Sequence, residues 1–182
     1  MTDLFWQTAD YLSQGGWIMG PLVAVSVAMW ILIVDRLGEF RQLSKGGLRK
    51  MLEADFLAKH SGHAGLDREI LMEVALRLRR RLDRRLSLIA VLAAIAPLLG
   101  LLGTVLGMIE TFDVIAMFGT GNARAMAGGI SVALITTQTG LLVAIPGLLM
   151  SNRLGRISSN LKTTLDETVA NFTNGIAEGG TL

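Results

Sequence analysis

Thr104, Thr111, Thr136 and Thr137 stand inside or at the end of long apolar stretches of the chain. A hydroxyl in such a place can hold or pass a hydrogen-bonded water, but it does not titrate near neutral pH. Residues 87–109 and 130–150 contain no Asp, Glu, Lys, Arg or His. A proton moving along these stretches therefore needs an acid from elsewhere, most simply a partner. Glu110 and Asp113 follow the first stretch directly and allow two readings, a solvated helix end or an outer vestibule for ion entry. There is no cysteine, and the two histidines, His60 and His63, lie in a polar segment. That excludes disulfides, thiolate metal sites and a cysteine nucleophile. No nucleophile–base set, metal cluster or phosphate loop is visible, so the chain reads as a protein without enzymatic activity, metal or cofactor.

The spacing of the polar residues is helical. Gly100, Thr104, Gly107 and Thr111 advance by 4, 3 and 4 and fall within about 60° of arc on a helix. Gly103 and Gly107 form a GxxxG pair. Further on, Gly129, Ala133, Thr136, Thr137, Gly140, Ala144 and Gly147 share one face. Small stripes allow close backbone approach in lipid. Two readings follow. The stripes are packing faces, with hydroxyls bonded to carbonyls of their own helices, or Thr104, Thr111, Thr136 and Thr137 line an ion pathway. Gly100, Gly103, Gly107, Ala133, Gly140 and Ala144 serve packing in either case. Ser131 and Gln138 fall on the opposite face, where a Gln calls for a partner helix or a polar cavity.

The elements that must carry these residues are membrane spans. Of 182 residues, 51% are hydrophobic and 18% charged, and the apolar ones fall in three blocks. Residues 17–34, 87–109 and 130–150 are each long enough to cross a ~30 Å hydrocarbon core. The fold expected is all-α: an integral membrane protein with three transmembrane helices, two of them extended into a cytoplasmic helical bundle. Asp3 and Asp10 precede the first block with no Lys or Arg, the reverse of a basic signal-peptide leader, so that block reads as an uncleaved span.

Orientation follows from the basic residues. Residues 1–16 hold none, 35–86 hold 13 of 17, 110–129 hold only Arg124, and 151–182 hold three. This predicts an amphipathic N-terminal segment on the outer surface (1–16, with Trp6 and Tyr11), a cytoplasmic helical loop (35–86), a short outer connector (110–129), and a cytoplasmic C-terminal helix with a frayed tail (151–182); the resemblance given below makes the outer side periplasmic. The run Arg77 to Arg85 ends next to a span, so it reads as a positive-inside anchor against anionic lipid and not as a nucleic-acid patch.

Within the loop, the helix continuing span one is expected to break at Gly46-Gly47, and 61–65 to form a turn. Asp67 is a candidate N-cap. Residues 66–96 contain neither Gly nor Pro, which predicts one unbroken helix of about 45 Å running into span two. In the tail, Leu154, Ile157, Leu161, Leu165, Val169 and Phe172 form an apolar stripe continuing span three, with Pro146 as a candidate kink.

The segment LLGLLGTVLGMIETF (98–112), followed by AGGISVALITTQTGLLVAIP (127–146), resembles the MotA/TolQ/ExbB proton-channel family, on its ExbB side. The GLLGTV core, the GG lead-in and the T-x-x-GL-x-x-AIP stretch carry the likeness, together with the three-span plan. The resemblance covers about residues 17–172. It implies a homo-oligomeric ring, usually a pentamer, in a bacterial inner membrane, N-terminus periplasmic and C-terminus cytoplasmic. The ring would surround an ExbD-like single-span partner whose membrane aspartate accepts protons, and would energise a TonB-like protein for outer-membrane transport. Thr104 and Thr137 match the family's pore threonines. The family motif G-I-A/S-E-A-L reads Gly129-Ile130-Ser131-Val132-Ala133-Leu134 here, so Val132 stands where a glutamate is expected. The alternatives are a non-conducting scaffold for membrane partners or a TolQ-like or flagellar-stator-like motor subunit.

Overall fold

A computed structural model describes residues 15–59 and 63–177. Among these the chain is helical throughout, with no strand: α1 (Met19–Gln42), a π-helical turn (Leu43–Gly47), α2 (Leu48–Leu57), α3 (Ala64–Asp83), α4 (Leu86–Phe118), a 3₁₀ turn (Gly119–Gly121) and α5 (Ala123–Ala177). Three helices are long and apolar enough to cross a membrane. The expected surface segment before residue 15, part of the expected 61–65 turn and the tail after 177 lie outside the described residues.

The described chain divides into two compact units. The first comprises residues 15–32 and 88–150. Its α4 buries Ile89, Ala93, Ala96, Gly100, Gly103, Gly107 and Thr111, spaced by 4, 3, 4, 3, 4 and 4. The mean spacing is about 3.7 residues, close to the 3.6 of a straight helix, and almost every residue on the seam is small. The α5 residues Gly129, Ala133, Thr136, Gly140, Ala144 and Gly147 are buried with the same rhythm. The two seams pack antiparallel on each other. A Cβ placed on Gly107 would lie 2.6 Å from the Gly129 carbonyl, one on Gly100 2.9 Å from the Thr136 carbonyl, and one on Gly140 2.8 Å from the Ala96 carbonyl. Such contacts admit only hydrogen at these positions. The first helix joins through Met29, fully buried, whose side chain occupies the space beside Gly147. The rest of these helices presents large apolar side chains outward, among them Leu98, Leu101, Val105, Leu134, Leu142 and Leu149.

The second unit comprises residues 33–87 and 151–177. Its core is aliphatic and aromatic: Ile33, Phe40, Leu52, Phe56, Leu71, Leu82, Leu154 and Leu165 are all nearly inaccessible. Phe56 meets Phe172 edge to face with ring centroids 6.4 Å apart. The expected break after span one occurs, as a π-helical turn with Gly46 at φ +87°.

Three local expectations give way. Asp67 is not the N-cap of its helix. His63 occupies that place, and Asp67 sits buried in the first turn, its backbone N–H donating to the His63 carbonyl at 2.9 Å. The expected unbroken helix from 66 to 96 is interrupted at Arg84-Arg85, where Arg85 takes φ +69°. A left-handed conformation costs a non-glycine residue about 1–2 kcal/mol, so other groups must hold it. They do so by satisfying the carbonyls that α3 leaves open at its end. The Arg84 N–H donates to Arg80 O at 3.1 Å, Arg36 Nη2 to Arg81 O at 3.0 Å, and Ser158 Oγ to Leu82 O at 3.2 Å. Arg85 itself pairs with Asp35. The third correction follows from the second. The buried stripe of the tail runs through Ser158, not Ile157, which is only half-buried, because the serine hydroxyl is needed at the α3 terminus.

Candidate functional site

The four threonines separate into two pairs. Thr111 and Thr136 lie in the seam between α4 and α5, 3% and 0% exposed. Thr111 Oγ1 donates to Gly107 O at 2.9 Å, and Thr136 Oγ1 to the carbonyls of Val132 and Ala133, each at 3.0 Å. Hydroxyls used in this way fill the seam without exposing a polar atom to lipid. Thr136 also occupies the space that a side chain at Gly103 would need, as Thr111 does for Gly129.

Thr104 and Thr137 form the other pair, and both are half-buried. Thr104 Oγ1 donates to Leu101 O at 2.6 Å. Thr137 Oγ1 lies 3.1 Å from Ala133 O on its own helix and 3.4 Å from Gly100 O on α4. Thr104 is one helical turn beyond Gly100, about 6 Å along the axis. Two partly accessible hydroxyls thus stand at neighbouring levels of the helical pair. Each donates its proton to a carbonyl and keeps oxygen lone pairs that can accept from water or from a donor on another chain.

Nothing in these spans can titrate, because residues 87–109 and 130–150 carry no ionisable side chain. Val132 is half-buried, and its Cγ1 is 3.6 Å from where a Cβ on Gly16 would sit. The position therefore packs beside the start of α1. Glu110 and Asp113 are exposed on α4, which continues past them to Phe118, and neither has a basic partner among the described residues. Ser131 and Gln138 are exposed, away from the α4–α5 seam.

Sequence spacing finds the small seam but misses Ala93 and Ala96, which extend it, and Met29, which closes it from α1. It also misses Arg36, 2% exposed and stacked 5.7 Å over the Phe40 ring. A charge four residues before an aromatic on one helix face was the available signal.

A family model described as the MotA/TolQ/ExbB proton channel family matches residues 40–167, a range that includes Thr104, Val132 and Thr137. The chain is 39% identical over 105 residues to Biopolymer transport protein exbB1 of Vibrio cholerae, a match covering 57% of this chain and 46% of that protein. It is 30% identical over 181 residues to Putative biopolymer transport protein ExbB-like 1 of Synechocystis sp., covering 82% of this chain and 71% of that one. To Biopolymer transport protein ExbB of Aquifex aeolicus it is 44% identical over 79 residues, covering 43% and 53%. The matched segments thus span about half the length of the Vibrio and Aquifex relatives.

Proposed function

The chain belongs to the MotA/TolQ/ExbB proton channel family, and from that premise we propose that it is the ExbB-like subunit of an inner-membrane ion-driven motor. Several copies, as a pentamer, surround an ExbD-like single-span partner. The assembly couples the proton motive force to a TonB-like protein and so to outer-membrane transport. The chain supplies walls and hydrogen bonds and catalyses no reaction.

One observation carries this reading. Thr104 and Thr137 are half-buried hydroxyl residues within two stretches, 87–109 and 130–150, that contain no titratable group. A polar track without an acid fits a ring that receives its proton acceptor from a partner helix. In this reading the N-terminus is periplasmic and the C-terminus cytoplasmic, as the 0, 13, 1, 3 distribution of basic residues favours.

The absence of a carboxylate at Val132 favours a second reading, a non-conducting scaffold that stabilises membrane partners. Co-expression separates the two. In cells lacking their own ExbB-like subunit, this chain and a single-span partner bearing a membrane aspartate are expected to restore energised uptake together, and neither alone. Stable co-assembly without uptake supports the scaffold.

A further inference from the structure

A cleft of about 820 Å³ opens within the second unit, between residues 34–42 of α1 and residues 77–85 at the end of α3. Arg36, Arg77, Arg80, Arg81, Arg84 and Arg85 line it, against two carboxylates, Asp35 and Glu39. Both carboxylates are already engaged. Glu39 accepts from Arg36 and from Arg81, the latter at 2.8 Å, and Asp35 accepts from Arg85. Arg77 pairs with Glu73. Arg80 and Arg84 are exposed and have no acidic partner among the described residues. Arg36, 2% exposed, has its Nε buried without a hydrogen-bond partner among the described residues. The cleft therefore holds an excess of guanidinium charge with unspent N–H donors, arranged in a concavity.

Position in the chain narrows what anion it takes. Val34, the last residue of the first apolar run, lines the cleft, and Arg85 stands two residues before the second run. Val34 is exposed and offers a ligand apolar contact beside the arginine forks that would hold a headgroup. Guanidinium groups match phosphate oxygens in paired hydrogen bonds. We propose that this cleft is a specific binding site for the phosphate of an anionic phospholipid headgroup, with Arg80 and Arg84 making the phosphate contacts and Arg36 forming the buried floor. It differs from a diffuse positive-inside charge in being tied to this cleft and not to basic residues in general.

The full-length protein in detergent, offered equal amounts of phosphatidylglycerol and phosphatidylcholine, tests this by native mass spectrometry. Phosphatidylglycerol is expected to be retained in preference. The double variant Arg80→Gln/Arg84→Gln is expected to lose roughly 30-fold in that retention, from about 1 kcal/mol per arginine near an anionic headgroup. Arg153→Gln/Arg156→Gln removes the same charge from α5 and is expected to retain the lipid as wild type does. Should the glutamines disturb the fold, Arg80→Lys/Arg84→Lys keeps the charge and removes the forks, and retention weaker than wild type is expected. Inorganic phosphate, titrated calorimetrically in the same detergent, is expected to bind more weakly than the lipid. Equal retention of the two lipids, wild-type retention in the cleft variants, or equal loss in the α5 control overturns the proposal. Inorganic phosphate binding as tightly as the lipid assigns the cleft to soluble phosphate and overturns the headgroup assignment.

Discussion

Thr137 Oγ1 lies 3.4 Å from the Gly100 carbonyl, so a hydroxyl of the third span touches the backbone of the second. Its neighbour Thr136 spends its hydroxyl on α5 alone. Adjacent residues of one type thus occupy different environments, one sealed in the seam and one half-accessible, and the predictions below use that difference.

Thr136→Val is expected to be nearly silent. Valine keeps the shape, and the carbonyls of Val132 and Ala133 remain within the helix ladder. We expect a stability change within about 1 kcal/mol and normal uptake, checked by thermal unfolding in detergent and by growth dependent on transport. Loss of uptake with normal assembly would move Thr136 into the ion pathway.

Gly107→Leu and Gly140→Leu are expected to damage the single chain before they damage any assembly. A side chain at either position meets backbone of the facing helix at 2.6–2.8 Å, and backbone cannot step aside as a flexible side chain does. Overpacking of this kind costs about 1–3 kcal/mol or more. Increased proteolysis and low expression are the expected outcomes. A well-folded, protease-resistant monomer would show instead that these glycines face a neighbouring copy.

The helix break yields a paired prediction. Arg85→Gly removes the left-handed penalty and the exposed ion pair with Asp35, two effects of opposite sign that leave stability nearly unchanged. Arg85→Val places a β-branched residue at φ +69° and is expected to cost about 1–2 kcal/mol. Ser158→Ala leaves the Leu82 carbonyl buried without its donor and costs about 1–3 kcal/mol. Melting temperatures in one detergent check all three; a Ser158→Ala variant as stable as wild type would remove the serine from the account of the break.

Topology is testable because the chain has no cysteine of its own. Cysteine introduced for Thr8 is expected to react with an impermeant thiol reagent in intact cells, and cysteine for His60 only after lysis. The opposite pattern reverses the orientation.

The spans were readable from sequence because a charge-free run of twenty residues has few other homes, and the GxxxG and small-residue spacing marked the seam. The partner of that seam was not readable. Spacing shows that Gly107 and Gly140 want a close neighbour, while only the structure shows them facing Gly129 and Ala96 of the same chain. The break at Arg84-Arg85 was hidden for a related reason. No glycine or proline marks it, and the groups that hold it, Asp35, Arg36 and Ser158, are 45 to 76 residues away in sequence. For the threonines, residue type picks out the hydroxyls, but helical angle alone puts Thr136 and Thr137 on one face and does not say which is sealed.

The most direct test of the central claim is energised uptake in Thr104→Val and Thr137→Val, measured in cells where assembly of each variant is verified by crosslinking. Valine preserves packing and removes the oxygen that water or a partner's acid would use. The account predicts that both variants assemble normally and lose uptake, with Val132→Ala as an active control. If both threonine variants assemble and keep wild-type uptake, the hydroxyls serve packing alone and the pathway does not run past them.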